Sequence, residues 1–224
     1  MGFRHEWKHE VNAGDALALH ERLSAIMSHD SHAHADGTYR IRSLYFDTFQ
    51  DTALRDKLAG VSRREKFRIR YYDDDLSYIN LEKKEKINNL CLKTKAHLSA
   101  RQAQAIVDGD TDWLICSSNP LLQELYCKMH IQGLRPKTIV DYTREAFVFP
   151  AGNVRVTIDS DIRTGVRSTA FLDQGCPTIA AGDAPIVLEV KWDEFLPSHI
   201  RDAVQLPQRR TAAFSKYAAS RIYG

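Results

Sequence analysis

The chain has 224 residues, 43% of them hydrophobic and 27% charged, ordinary values for a soluble globular protein able to bury a sizeable core. Its formal net charge is only +2, so composition predicts neither nucleic acid nor a membrane surface as partner, and any anion site must come from the placement of charges. No run approaches the roughly 18 apolar residues of a membrane span, and the start, Met-Gly-Phe-Arg-His-Glu-Trp-Lys, lacks the apolar core of a signal peptide, so a cytoplasmic location is expected.

Residues 3–11 alternate in polarity and predict a first strand. Asn12 caps a helix to about Ser28, with Leu19, Leu23, Ile26 and Met27 on its apolar face. A second strand follows at about 38–47, then a helical turn ending near Gly60. Residues 64–72 form a third strand, and 78–87 with 90–96 a hairpin around Asn88-Asn89, a pair suited to positive φ. Ser99 and Gln102 match a capping box for a helix that stops before Gly109. Asn119-Pro120 opens a helix to about His130, with proline at the tolerated first position. Strands follow at about 137–149, 153–162 and 186–192, and a helix from about Ala212 to Tyr223. No repeat or linker divides the chain, which predicts one domain over residues 1–224. About eight strands in sequence-adjacent antiparallel pairs make the class α+β, with one sheet large enough to close into a barrel.

Sorting each strand by face locates the charge. Lys66, Arg68 and Arg70 share one face of the third strand, opposite Phe67, Ile69 and Tyr71. Asn80, Glu82, Lys84 and Lys86 align on the next, and Cys91, Lys93 and Lys95 on the one after. Glu6 aligns with Lys8, Tyr142 with Arg144, Arg155 with Thr157 and Asp159, and Glu189 with Lys191. Any one of these faces reads equally as the solvated side of an antiparallel sheet. Three consecutive strands loaded with like charge are harder to read that way, because like charges directly opposite each other destabilise a sheet. A polyanion would neutralise such a face. Glu82 and Glu189, each two residues before a Lys, could supply the one or two carboxylates that a phosphate-bound divalent ion takes. Phosphoryl transfer needs positive groups and a metal to hold the phosphates and absorb charge, not a protein nucleophile. There is no Walker A sequence, kinase-type glycine loop or G-x-G-x-x-G.

Other features carry less. Cys91, Cys116, Cys127 and Cys176 have no metal-ligand spacing and are expected to be free, mostly buried thiols. The run from His29 to His34 and the run Asp73-Asp74-Asp75 are expected in solvated loops. Arg209-Arg210 is read as a surface loop. Trp7, Trp113 and Trp192 are read as packing residues, not base platforms. No histidine is placed as a base beside a nucleophile.

The segments Arg4-His-Glu-Trp-Lys8, Ser43-Leu-Tyr-Phe-Asp47, Asp56-Lys-Leu-Ala-Gly60, Arg64-Glu-Lys-Phe-Arg-Ile-Arg-Tyr71 and Leu81-Glu-Lys-Lys84 with Lys93 come first. Tyr142-Thr-Arg144, Val154-Arg-Val-Thr-Ile-Asp159, Leu188-Glu-Val-Lys191 and Phe214-Ser-Lys-Tyr217 follow. In this order they resemble the VTC domain, the polyphosphate polymerase branch of the triphosphate tunnel metalloenzymes in the CYTH-like superfamily. The resemblance implies an antiparallel β-barrel forming a triphosphate tunnel, with helices packed around it. It implies a metal-dependent phosphotransferase moving the γ-phosphate of ATP onto a polyphosphate chain. Carried over by position, Arg68, Arg70, Lys84, Lys93, Arg144 and Arg155 fall on catalytic positions, and Lys8, Ser215 and Lys216 on phosphate-binding ones. Facing and motif add Lys66 and Tyr142 to the phosphate-binding set, and Lys191, which reads equally as the charge partner of Glu189. Glu189 falls on the metal site for Mn²⁺ or Mg²⁺, and Glu82 and Glu6 are added to that site by facing. The implied ligands are ATP and polyphosphate or tripolyphosphate, with a separate membrane partner left open and no nucleic acid expected. Two other functions share these residues: a tripolyphosphatase or nucleoside triphosphatase, and a polyphosphate-binding module without turnover.

Overall fold

The computed structural model describes residues 4–88, 90–183, 185–206 and 214–223. Among them are ten strands: β1 His5–Val11, β2 Ser28–His29, β3 Thr38–Asp47, β4 Arg63–Tyr72, β5 Asp75–Ile87, β6 Leu90–Leu98, β7 Arg135–Phe149, β8 Val154–Thr164, β9 Ile179–Ala180 and β10 Ile186–Trp192. The helices are α1 Ala13–Ser24, α2 Thr52–Leu58, α3 Ala100–Asp108, α4 Pro120–Gln132, α5 Ser198–Ala203 and α6 Lys216–Ser220. None of these helices is long and apolar enough to cross a membrane.

All ladders are antiparallel, in the order β1-β10-β8-β7-β3-β4-β5-β6, with β2 on β7 and β9 on β8. The class is therefore α+β, but the sheet is not closed into the expected barrel. Among the described residues its end strands β1 and β6 meet at one bridge, Arg4 with Cys91. The sheet still curls far enough that Glu6 of β1 reaches Lys84 of β5. Register shifts at Tyr45/Phe46, Arg70/Tyr72 and Asp141/Thr143 assist the curl, since a bulge bends its strand and increases local twist.

The local signals explain the boundaries. Asn12 and Ser99 close capping boxes with Asp15 and Gln102, and α3 ends at Gly109 with φ of 85°. α1 stops at Ser24, four residues short of the sequence expectation, because Ser28–His29 pairs with β7 as β2. Tyr72 pairs with Asp75, so Asp73 and Asp74 are the two-residue loop of the β4-β5 hairpin. Both have positive φ, 48° and 61°, as the primed turn that matches strand twist requires. Asn88 has φ of 47° in the β5-β6 turn. Asn89, Arg209-Arg210 and the predicted helix start at Ala212 lie outside the described residues.

Face sorting decides the core. Phe67, Ile69 and Tyr71 of β4 join Leu44, Phe46, Ile79, Leu81, Ala96 and Leu98 under Ala103, Ile106, Leu121, Leu122 and Leu125 of α3 and α4. Leu188, Val190, Trp192, Val156 and Ile158 pack with Leu19 and Leu23 of α1 and Ile200 of α5. Trp7 joins that cluster, and Trp113 joins the first, as packing residues. Helices thus cover the convex face, and the residues of opposite parity turn into the hollow of the sheet. The cysteines are free, but only Cys176 is buried, while Cys116 and Cys127 are exposed. Both lie in the α4 region, and Cys127 turns away from the core stripe of Leu121, Leu122 and Leu125.

The short helix α6 is held by one buried carboxylate. Asp47, at the end of β3, accepts hydrogen bonds from the Ala53 and Leu54 amides at the start of α2 and from the Tyr217 hydroxyl at 2.6 Å. Arg221 adds a fork onto Asp51 at 2.7 and 3.1 Å. Removing one donor to a buried carboxylate costs about 1.5–3 kcal/mol. Tyr217→Phe is therefore expected to lower thermal stability by that amount, read as a drop in Tm with the far-ultraviolet circular dichroism of the folded state unchanged.

Candidate active site

The hollow of the curled sheet is a cavity of about 1680 Å³. Of the residues singled out from the sequence, β1 places Glu6 and Lys8 in its wall, β4 Lys66, Arg68 and Arg70, β5 Lys84, and β6 Lys93. Tyr142 and Arg144 come from β7, Arg155 from β8, Glu189 and Lys191 from β10, and Ser215 and Lys216 from the start of α6. Glu82 does not line the cavity: it is 3% exposed and lies beneath the cations. Lys95, although on the same strand face as Lys93, is exposed and reaches Tyr78 instead.

The charges form three centres. Around Glu82, Arg68 donates through Nε at 2.7 Å and Nη2 at 2.6 Å, Lys93 pairs with Oε1, and Arg70 stands at 3.9 Å. Burial alone would raise the Glu82 carboxyl, but Arg68, Arg70 and Lys93 reverse the effect and hold it well below the usual range. Arg70 is fixed further by Ser43 and Tyr142, at 2.9 and 2.8 Å.

In the second centre two carboxylates converge on one ammonium. Lys8 Nζ lies 2.9 Å from Glu6 and 3.4 Å from Glu189. Lys84 reaches Glu6 at 2.6 Å, and Lys191 reaches Glu189 at 3.1 Å. Lys191 is therefore both a wall residue and the partner of Glu189. For Glu6, burial and the neighbouring Glu189 push the carboxyl up, and Lys8, Lys84 and Lys191 outweigh them and bring it to about 2. Glu189 is likewise raised by burial and driven well below its ordinary value by Lys191, Lys8, Lys84 and Arg144. The third centre is Asp159, fully buried, which takes a fork from Arg144 at 2.6 and 2.8 Å and Lys216 at 2.5 Å.

Lys66 differs from Lys8, Lys84, Lys93, Lys191 and Lys216. Among the described residues it has no carboxylate within ion-pair reach, and its ammonium donates to Ser215 Oγ at 2.9 Å. Burial brings its pKa down to about 7; Tyr45 opposes the shift, and Lys8, Lys57 and Lys84 add to it.

Neighbours not singled out from the sequence complete the wall. Tyr45 accepts from Arg68 at 2.9 Å, and Tyr39 accepts from Arg155 at 2.7 Å. Both share the face of Ser43 on β3, so sorting that strand by parity would have exposed them. Burial would raise the Tyr45 phenol, but Arg68, Arg70 and Lys66 bring it down to about 7. Arg155 is also held by Asp30 at 2.5 Å. Asp30 thus corrects the expectation of a merely solvated histidine run: His32 and His34 are exposed, but the segment opens with strand β2 and sends Asp30 to the site.

Among the described residues no three His, Cys, Asp or Glu side chains cluster to hold a metal alone. The donor set nevertheless fits a divalent ion that is also held by phosphate, which takes one or two protein carboxylates. Glu6 and Glu189 already share a cation, and the buried Thr157 hydroxyl, in register with Glu189, has no hydrogen-bond partner among the described residues.

Removing one partner of a buried ion pair costs about 3–5 kcal/mol, because the other charge is left uncompensated. Arg68→Ala is expected to lower stability at the low end of that range, since Lys93 and Arg70 remain near Glu82. Adding Glu82→Gln in the same chain should recover most of the lost Tm, and an Arg68→Ala Tm equal to the parent's would overturn this account.

No curated protein sequence matches the chain. Solved structures share its fold, two of which follow. A candidate adenylyl cyclase from Hippeastrum, described as having a dominant triphosphatase activity, aligns with a TM-score of 0.60 at 12% identity, over 99% of this chain and 95% of its own. A candidate adenylate cyclase from Bacillus halodurans aligns with a TM-score of 0.52 at 15% identity, over 85% of this chain and 82% of its own. The sequence profile of the VTC domain matches residues 3–222, nearly the whole chain, and the protein is a member of the VTC domain family.

Proposed function

We propose that the cavity binds a phosphate chain and catalyses metal-dependent transfer of the γ-phosphate of ATP onto polyphosphate. The observation that carries this reading is one cavity lined from nine elements by cations, most of which share a few carboxylates placed behind or between them. Arg68, Arg70, Lys84, Lys93, Arg144 and Arg155 hold the phosphates in line and stabilise the charge that develops in transfer. Lys8, Lys66, Tyr142, Lys191, Ser215 and Lys216 supply further donors. Glu6 and Glu189 would hold Mn²⁺ or Mg²⁺, which when bound neutralises phosphate charge and polarises the transferred group. Glu82 has a different part from the one expected of it: saturated by three cations, it acts as a positioning residue for Arg68, Arg70 and Lys93.

Attack by a phosphate oxygen asks for no protein nucleophile, and membership of the VTC domain family supports transfer. Hydrolysis is the second reading, supported by the triphosphatase activity described for the Hippeastrum protein of like fold. Incubation with ATP and Mn²⁺ separates them. Long-chain polyphosphate is the expected product, and orthophosphate without polymer would establish the second reading.

Lys66 gives this function a pH signature. With a pKa of about 7 in the free protein, it gains a proton when a polyanion binds beside it. Affinity is then highest near and below pH 7 and declines as pH rises from there toward the pKa of the bound form, by at most about tenfold per unit for one coupled proton. Titration calorimetry with tripolyphosphate between pH 7 and 9 should show this decline. Lys66→Arg, charged throughout, should flatten it in part, with Lys93 and Lys191, both brought down to about 8 chiefly by burial, leaving a shallower slope.

A further inference from the structure

The cavity extends beyond the three centres to a group of cations that they do not use. Lys57 of α2, Arg64 of β4 and Lys86 of β5 all line it. Arg64 and Lys86 are direct cross-strand partners, an arrangement that destabilises a sheet when nothing neutralises it. Burial lowers the Lys57 ammonium, and Arg64, Lys8 and Lys86 lower it further, which places the four cations in one field. Among the described residues neither Arg64 nor Lys86 has an ion-pair partner, and Arg64 donates only to the Val61 carbonyl at 2.5 Å. Carboxylates are available next in sequence, but Glu65 and Glu85 face outward and are taken by Lys83 and Lys128. The same strands therefore balance charge on the convex side and leave it unbalanced inside.

We propose that Lys57, Arg64 and Lys86 form a second anion subsite, continuous with the central one, that takes phosphate units of a chain longer than a triphosphate. The inference rests on the reading that the cavity holds a phosphate chain. Arg64 stands about 20 Å along β4 from Arg70, farther than three linked phosphates extend. The cavity also exceeds the roughly 300–1,000 Å³ of a small-molecule site. Lys8 joins the two regions, since it pairs with Glu6 and Glu189 and also contributes to the field at Lys57. The subsite thus discriminates by chain length: a triphosphate fills the centre, and only a polymer fills both.

The test compares tripolyphosphate with long-chain polyphosphate on the full chain, using Lys57→Gln/Lys86→Gln and keeping Arg64 for its backbone contact. As control, Lys95→Gln/Arg167→Gln removes two exposed cations outside the cavity wall. The subsite variant should hold tripolyphosphate within about twofold of the parent and bind long chains about tenfold more weakly, a change of about 1.4 kcal/mol. Its long-chain affinity should also fall less steeply with salt, because fewer counterions are released. An equal loss for both ligands would place these lysines in the central site, and a loss matched by the control would reduce them to a general field. No loss for either would leave them as solvated surface charge, so each of these three results overturns the proposal. If the parent protein binds neither ligand, the functional reading itself falls, and the subsite with it.

Discussion

A cation removed from water needs a counter-charge, and this protein supplies its counter-charges sparingly and from behind. Glu82, Asp159 and the Glu6–Glu189 pair each serve two or more basic groups. Full neutralisation would give a tight, closed polar core. Here the carboxylates are numerous enough to let the sheet fold around its charge and too few to satisfy it. The residual demand is met by hydroxyls: Tyr39, Ser43 and Ser215 orient a cation without cancelling it, and Tyr45, its phenol brought down to about 7, sits against Arg68.

The rest of the architecture follows from holding that polar hollow open. Its convex side is covered by α3 and α4 at one end and by α1 and α5 at the other, and a third hydrophobic cluster joins the cavity-lining Tyr39, Tyr45 and Tyr142 to Tyr217 of α6. Bulges at Arg70/Tyr72 and Asp141/Thr143 bend the strands beside the most heavily charged positions. Asp47 ties the end of β3 to both α2 and α6. That tie brings Ser215 and Lys216 from the end of the chain to a wall built mainly by its first two-thirds.

The strands that carry the site were legible because period-two patterning is strict there. Phe67, Ile69 and Tyr71 against Lys66, Arg68 and Arg70 leaves one way to place β4 with its apolar side on a core. Capping at Asn12 and Ser99 and the Asp73-Asp74 loop were equally local, hence equally readable. β3 was harder. Its tyrosines look like core residues by type, and their place in a polar wall shows in the hydrogen bonds they accept from Arg68 and Arg155. β2 and Asp30 were obscured by a histidine-rich run whose composition suits a loop. The two-residue pairing that orders it is supplied by β7.

Sequence alone determined which side chains share a face, because alternation is a property of the single strand, and it determined the family, because the motifs keep their order along the chain. It could not determine which carboxylate answers which cation. Glu82 stands in register with Arg68 and Lys95, yet its third partner is the diagonal Lys93, and Glu6 pairs with Lys84 from the far end of the strand order. Those pairings depend on how tightly the sheet curls, which is set by bulges, helix packing and the bridge of Arg4 with Cys91 where β1 meets β6. The tertiary structure likewise decided that Glu82 lies under the wall instead of in it, because burial is a property of the neighbours a residue acquires and not of the strand it belongs to.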